Sequence, residues 1–360
     1  MFVPHNLGYS GALLPTLVGE GRPALVLTHF RPPVVPYWLR VGSKFLLTVS
    51  VLAALALAVD PSALLTSLLE ARWSWIVVAL LLLPLNLVLD GWVWKQLLAP
   101  VVGRVSVRAL TGAVLSGIAL GFWTPARAGE YAGRALSLPD GDRWELSLTV
   151  LAQRMVDMAV GVNVGLLALV WAFWQGFVPL SGSWLAAAAI GLGTGAGLAA
   201  FVARPPRVHR LVRWMVPNRP SITDRTALLA RLSPSQGAAV VGGCLARYLV
   251  FTFQLGCLGM AFAPSAPWTT LAAGAGLTFY AKYLIPSLTL LDLGIREGSA
   301  AFFFQQLGVG AAAGLNAALV LFAVNILLPA LMGLPLVSQL RLPQPSESTD
   351  ARTPASIPQG

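Results

Sequence analysis

Residues 121–138 read GFWTPARAGEYAGRALSL. An apolar run over 110–123 leads into them, stops at Pro125, and is followed at once by Arg127, Glu130 and Arg134. Such a run is too short to cross a bilayer core about 30 Å thick, which takes about 20 residues of helix. A short run that ends on a proline and charges predicts a segment that enters the membrane and turns back. Residues 279–308, FYAKYLIPSLTLLDLGIREGSAAFFFQQLG, repeat the pattern: an apolar run over 268–285, then Pro286, Gly294, Arg296 and Glu297. Two re-entrant helical hairpins are therefore predicted, with Pro125 and Pro286 as their breaks.

The rest of the chain supplies the membrane context. Of 360 residues, 56% are hydrophobic and 11% charged, against about 25% charged in a soluble domain. That excludes a soluble globular protein and a disordered chain. Longer apolar runs at 41–59, 74–89, 150–174, 184–202, 237–262 and 311–337 predict six spans. The expected fold class is an all-α polytopic membrane protein with six transmembrane helices plus two re-entrant hairpins. Net charge is +10, and three segments carry more than all of it: +3 before residue 45, +3 over 91–109 and +6 over 204–236. Cytoplasmic loops collect Lys and Arg, so these segments and both termini are expected in the cytoplasm. The units 74–174 and 237–337 then have opposite orientation, an inverted repeat of the kind that builds a central site in transporters. Residues 1–40 and 341–360 read as cytoplasmic tails flanking a membrane domain over 41–340, the second tail Pro- and Ser-rich and disordered.

Ionisable groups at membrane depth mark polar cavities or pairs, and here they cluster. Glu130 and Arg134, four apart, can pair on a helix. The break at Pro125 and Gly129 points free backbone N–H groups at the gap, suited to a phosphate oxygen. The segment LAQRMVDMAVG carries Arg154 and Asp157 three apart, and GGCLARYLVF carries Arg247 with no acidic residue within seven positions. Its anion must come from Asp157, Glu297 or a substrate. Arg296 and Glu297 are adjacent and on a helix should face different partners. For Glu130 with Arg134, for Arg154 with Asp157 and for Arg247, a structural ion pair is the alternative to a ligand site. Asn86, Asn163 and Asn325 are expected to make interhelical hydrogen bonds.

The elements TPARAGEYAGR, AQRMVDM and IPSLTLLDLGIREGSA followed by QQLGV resemble the lysylphosphatidylglycerol synthase transmembrane region, a flippase-like family. Its members show Pro-x-Arg-x-Gly-Glu, then Glu/Gln-Arg-x-x-Asp, then a late Pro and Gly-x-Arg-Glu. The resemblance implies a substrate site at Arg127, Gly129, Glu130, Arg134, Arg154, Asp157, Gly294, Arg296 and Glu297, to which the buried position of Arg247 adds that residue. The chain departs from the pattern at Leu290–Leu293, where relatives are Gly-rich, and shows no soluble aminoacyltransferase after Leu340, so synthase activity is not implied.

The function expected is a non-enzymatic lipid translocase in the cell inner membrane. It would move an anionic phospholipid or an isoprenoid-phosphate-linked substrate through a cavity lined by arginines and carboxylates. The alternatives are an integral-membrane transferase and an accessory scaffold for a lipid-modifying partner enzyme. No cofactor or metal is expected: His5, His29 and His209 lie in no ligand spacing, and Cys244 and Cys257 are too far apart along one helix for a disulfide. The Arg-rich loop over 204–231, interleaved with Leu, Val and Trp, reads as a surface for anionic lipid instead of nucleic acid.

Overall fold

A computed structural model describes residues 37–124, 127–177, 183–203, 209–210, 226–285, 293–338 and 340. The breaks Pro125 and Pro286, the tails before 37 and after 340, and most of the Arg-rich loop lie outside these. Every regular element among the described residues is helical. Five helices are long and apolar enough to cross a membrane: Trp73–Val102, Arg143–Trp174, Leu185–Ala203, Pro234–Phe262 and Ala311–Val337. The protein is an all-α, multi-pass membrane protein.

The first expected span, 41–59, falls on one helix that ends in a sharp bend. Helix α1 (Tyr37–Ala58) is followed by α2 (Pro61–Leu69), and the pair Val49–Ala58 and Pro61–Leu69 is bent by 86°. The bend is written locally. Asp60 has φ 73° and its carboxylate accepts from the Ser62 N–H at 2.9 Å, while Pro61 begins the new helix where its missing N–H costs nothing.

The second expected span, 74–89, is longer than its apolar run. Helices α3 (Trp73–Leu81) and α4 (Leu83–Val102) are nearly continuous, interrupted only where Pro84 lacks an N–H to donate. The segment 91–109, read as a loop, is thus mostly helix. The chain turns at Gly103, with φ 70°, where a left-handed backbone favours glycine.

Helix α5 (Val107–Phe122) and helix α6 (Ala128–Ser137) fold back on each other. Glycines make the approach close: a Cβ at Gly133 would lie 2.8 Å from the Gly117 Cα, and one at Gly129 would run into the Leu120 carbonyl. Helix α7 (Arg143–Trp174) follows, started by Asp142, whose carboxylate accepts from the N–H groups of Trp144 and Glu145 at 2.8 and 3.0 Å. Helix α8 (Ser183–Ala203) lies against it, tied by Asn163 Nδ2 donating to Thr194 Oγ1 at 2.9 Å.

The second half opens with α9 (Pro234–Phe262), begun by a Ser233/Gln236 capping box. It packs on α3, α4, α7 and α8 and is the central helix of the bundle. Helices α10 (Trp268–Leu284) and α11 (Ile295–Gln306) pack together as α5 and α6 do. The last span is α12 (Ala311–Phe322), a π-helical turn over Ala323–Leu327, and α13 (Leu328–Val337). Pro329 has no N–H to offer the Asn325 carbonyl four residues earlier, which accounts for the irregular turn.

The halves interlock. Helix α13 packs on α5, where a Cβ at Gly333 would enter the Leu115 carbonyl. Helix α10 packs on α7, where a Cβ at Gly165 would lie 2.5 Å from the Tyr280 Cβ. Each helical pair thus rests on a span of the other half.

Candidate functional site

Four helices carry charge to one place. From α4 comes Asp90, at the N-terminus of α6 and along it Arg127, Glu130 and Arg134, from α7 Arg154 and Asp157, and from α9 Arg247. Glu130, 2% exposed, accepts from Arg134 at 2.8 Å and from Arg127 at 3.2 Å, and pairs with Arg154. Asp157 is 2.8 Å from both Arg154 and Arg247. Asp90, also 2% exposed, pairs with Arg134, lies 3.2 Å from Arg247 and 3.9 Å from Arg154, and accepts from Gln153 Nε2 at 2.7 Å. These seven residues form one continuous network.

The network has a sealed part and an open part. The Arg134 side chain is 0% exposed, its guanidinium 5.4 Å from the Trp94 ring, and Trp94 is itself held by a 2.9 Å hydrogen bond from Nε1 to Thr149. The side chains of Arg127, Arg154 and Arg247 keep 24%, 21% and 14% exposure. All three line a cavity of about 320 Å³ whose walls also include Asp90, Glu130, Asp157, Phe251, Phe279 and Tyr283. Lys282 and, from the second helical pair, Ile295 and Arg296 reach the same cavity. Buried Nε atoms of Arg134 and Arg247 have no hydrogen-bond partner.

A neutral cluster adjoins the charged one. Asn86 Nδ2 donates to Gln254 Oε1 at 2.8 Å and to Asn325 Oδ1 at 3.0 Å, and Gln254 Nε2 donates to the Ala79 carbonyl at 2.7 Å. Asn86 and Asn325 line the cavity, so the π-helical turn contributes to its wall.

Sequence spacing leads to the Glu130/Arg134 and Arg154/Asp157 contacts, and of the three anions open to Arg247 the structure supplies Asp157. Three findings go beyond the sequence reading or against it. Asp90 and Gln153 were not singled out, although an acid with apolar residues on both sides, LVLDGWVW, is a signal that the helix does not end there. Arg296 and Glu297 pair with each other, although adjacent on a helix. Glu297 folds back to accept from the Gly294 N–H at 2.8 Å, which brings its carboxylate to the helix start where the Arg296 side chain reaches it. The N–H of Gly129, considered for phosphate, donates to Thr124 Oγ1 at 2.6 Å, so both hairpin glycines spend that donor within their own turn.

The sequence profile of the lysylphosphatidylglycerol synthase TM region spans residues 43–333. The chain belongs to this family. No curated protein and no solved structure matches it. The family profile covers all seven members of the charged network and both helical pairs. The family name refers to the membrane part of a synthase, and the charge-lined cavity sits wholly within that part.

Proposed function

We propose that this family member is a lipid translocase that moves an anionic, phosphate-bearing lipid between leaflets, its headgroup in the cavity and its tails in the bilayer. The observation that carries the reading is a cavity between helices long and apolar enough to span a membrane, in which Arg127, Arg154 and Arg247 are held by carboxylates and still exposed to the interior. An arginine fork fits phosphate oxygens bidentately, and a phosphate entering the cavity replaces carboxylate partners without leaving a buried guanidinium uncompensated. Glu130, Asp157 and Asp90 hold the arginines in the empty site. Arg134 positions the others, Arg296 and Glu297 fix the start of α11 beside the cavity, and Gly129 and Gly294 shape the two turns.

In the same reading the α5/α6 and α10/α11 pairs are re-entrant hairpins of two inverted repeats, 74–174 and 237–337, with both termini cytoplasmic in the cell inner membrane. The crossed packing of each pair on a span of the other half supports this arrangement. Transport requires no covalent step, and a lipid-modifying enzyme is the partner that would supply or consume the lipid.

The test is reconstitution of the full chain in vesicles with fluorescent phosphatidylglycerol. Movement between leaflets that falls at least about tenfold in Arg154→Gln with Arg247→Gln supports the reading. Wild-type rates equal to those of protein-free vesicles overturn it.

A further inference from the structure

We infer that Asn86 reads the alcohol part of the headgroup: its side-chain oxygen accepts from a hydroxyl on the group that esterifies the phosphate. The site then favours hydroxyl-bearing headgroups over those of equal charge that lack one. The inference deepens the translocase reading and rests on it. Asn86 stands on the face of α4 that is turned to the cavity. Leu83, Asn86, Leu87 and Asp90 all line that cavity, at the i, i+3, i+4, i+7 spacing of a single helical stripe. Asn325, in the π-helical turn, lines it too.

The neighbours of Asn86 fix which way its amide lies. Gln254 commits Nε2 to the Ala79 carbonyl, and Asn325 commits Nδ2 to Gln254 Oε1 at 3.1 Å. Each therefore presents an oxygen to Asn86, which answers with the donors of Nδ2. Asn86 Oδ1 is left over, buried in a residue 4% exposed and without a hydrogen-bond partner. Of the three side-chain oxygens in this cluster it alone receives no bond. Buried polar atoms in folded proteins are nearly all satisfied, so an amide oxygen left over on a cavity wall marks the place for a ligand's donor.

Position and stoichiometry say which donor. Asn86 lies one helical turn, about 6 Å along the axis, from Asp90, and Asp90 is 3.2 Å from Arg247. A phosphate held at Arg247 thus carries the alcohol esterified to it toward Asn86. A hydroxyl offers one donor to the one open oxygen. An ammonium offers three and would bring its charge into a cluster of neutral amides.

The full-length protein in detergent is offered phosphatidylglycerol and phosphatidylethanol with the same acyl chains, equal in charge and different in their hydroxyls. Phosphatidylethanolamine is the third lipid, and retained lipid is counted by native mass spectrometry. Wild type is expected to retain phosphatidylglycerol about tenfold over phosphatidylethanol and to prefer it to phosphatidylethanolamine. Asn86→Leu, close in shape and without the oxygen, should abolish the difference between the first two. Asn86→Ala makes the same test should the leucine variant fail to fold.

Equal retention of phosphatidylglycerol and phosphatidylethanol by wild type, retention of neither, a preference for phosphatidylethanolamine, or a hydroxyl preference that survives loss of the Asn86 side chain would overturn the inference. The vesicle assay separates it from the parent reading. The expected retention without lipid movement would end the translocase reading alone, and equal movement of phosphatidylglycerol and phosphatidylethanol would end the hydroxyl rule alone.

Discussion

Arg134 and Arg127 show how one residue type serves two ends in one network. Arg134 is enclosed between Asp90, Glu130, Gln153 and Trp94, so Arg134→Ala leaves two buried carboxylates short of a partner. Such a loss costs about 3–5 kcal/mol, read as a lower midpoint for heat-induced loss of the monodisperse protein in detergent. Arg127 stands at φ 56°, a left-handed backbone that a side chain with a Cβ adopts at a cost of about 1–2 kcal/mol. Arg127→Gly should therefore leave the midpoint unchanged or raised while lipid movement falls, since the cavity loses a cation. A lowered midpoint in that variant would place Arg127 in the scaffold. Asp90 was hidden in the sequence for a physical reason. A lone carboxylate reads as the end of an apolar run, and its partners Arg134 and Arg247 lie 44 and 157 positions away. Glu130 and Arg134 were legible because a helix brings positions four apart together with no tertiary information.

At the scale of the element, the α5/α6 pair depends on absent side chains. Gly129→Ala would press a methyl group into the Leu120 carbonyl and Gly133→Ala one into Gly117. Overpacking of this kind costs about 1–3 kcal/mol. Gly112, on the same α5, has open space around it, and Gly112→Ala should gain about 0.5–1 kcal/mol from helix propensity. Thermal midpoints of the three variants check the contrast; equal shifts would mean the close approach is not the cause. Both paired elements were legible from short apolar runs ending in proline. The right-angle bend after α1 was not, because the apolar run 41–59 looks like any span and the turn is set by Asp60 and Pro61 just beyond it. The extension of α4 past Asp90 was likewise masked, since helix continues there on apolar residues Trp92, Val93 and Trp94 after the charge, two of them fully buried.

For the whole molecule, the inverted arrangement makes one decisive demand: the open ends of the two helical pairs must face opposite sides. Asp140, just past α6, and Gln306, at the end of α11, are both exposed. With the native Cys244 and Cys257 buried, Asp140→Cys should react with a membrane-impermeant thiol reagent only from the cytoplasmic side and Gln306→Cys only from the other. Labelling of both from one side would exclude the inverted repeat.

The crossed packing of the halves also sets an order of assembly. Helix α5 is covered by α13, which lies more than 200 positions later in the chain. The first helical pair, which carries the buried charges Glu130 and Arg134 and packs beside Asp90, therefore precedes the wall that covers it by a long stretch of chain. A chain ending at Phe322 keeps all seven charged residues and lacks that wall, so it should be cleared by membrane proteases, which a pulse–chase measurement would reveal as a shortened lifetime. Gly333 is where that wall comes closest, against the Leu115 carbonyl, with no room for a side chain.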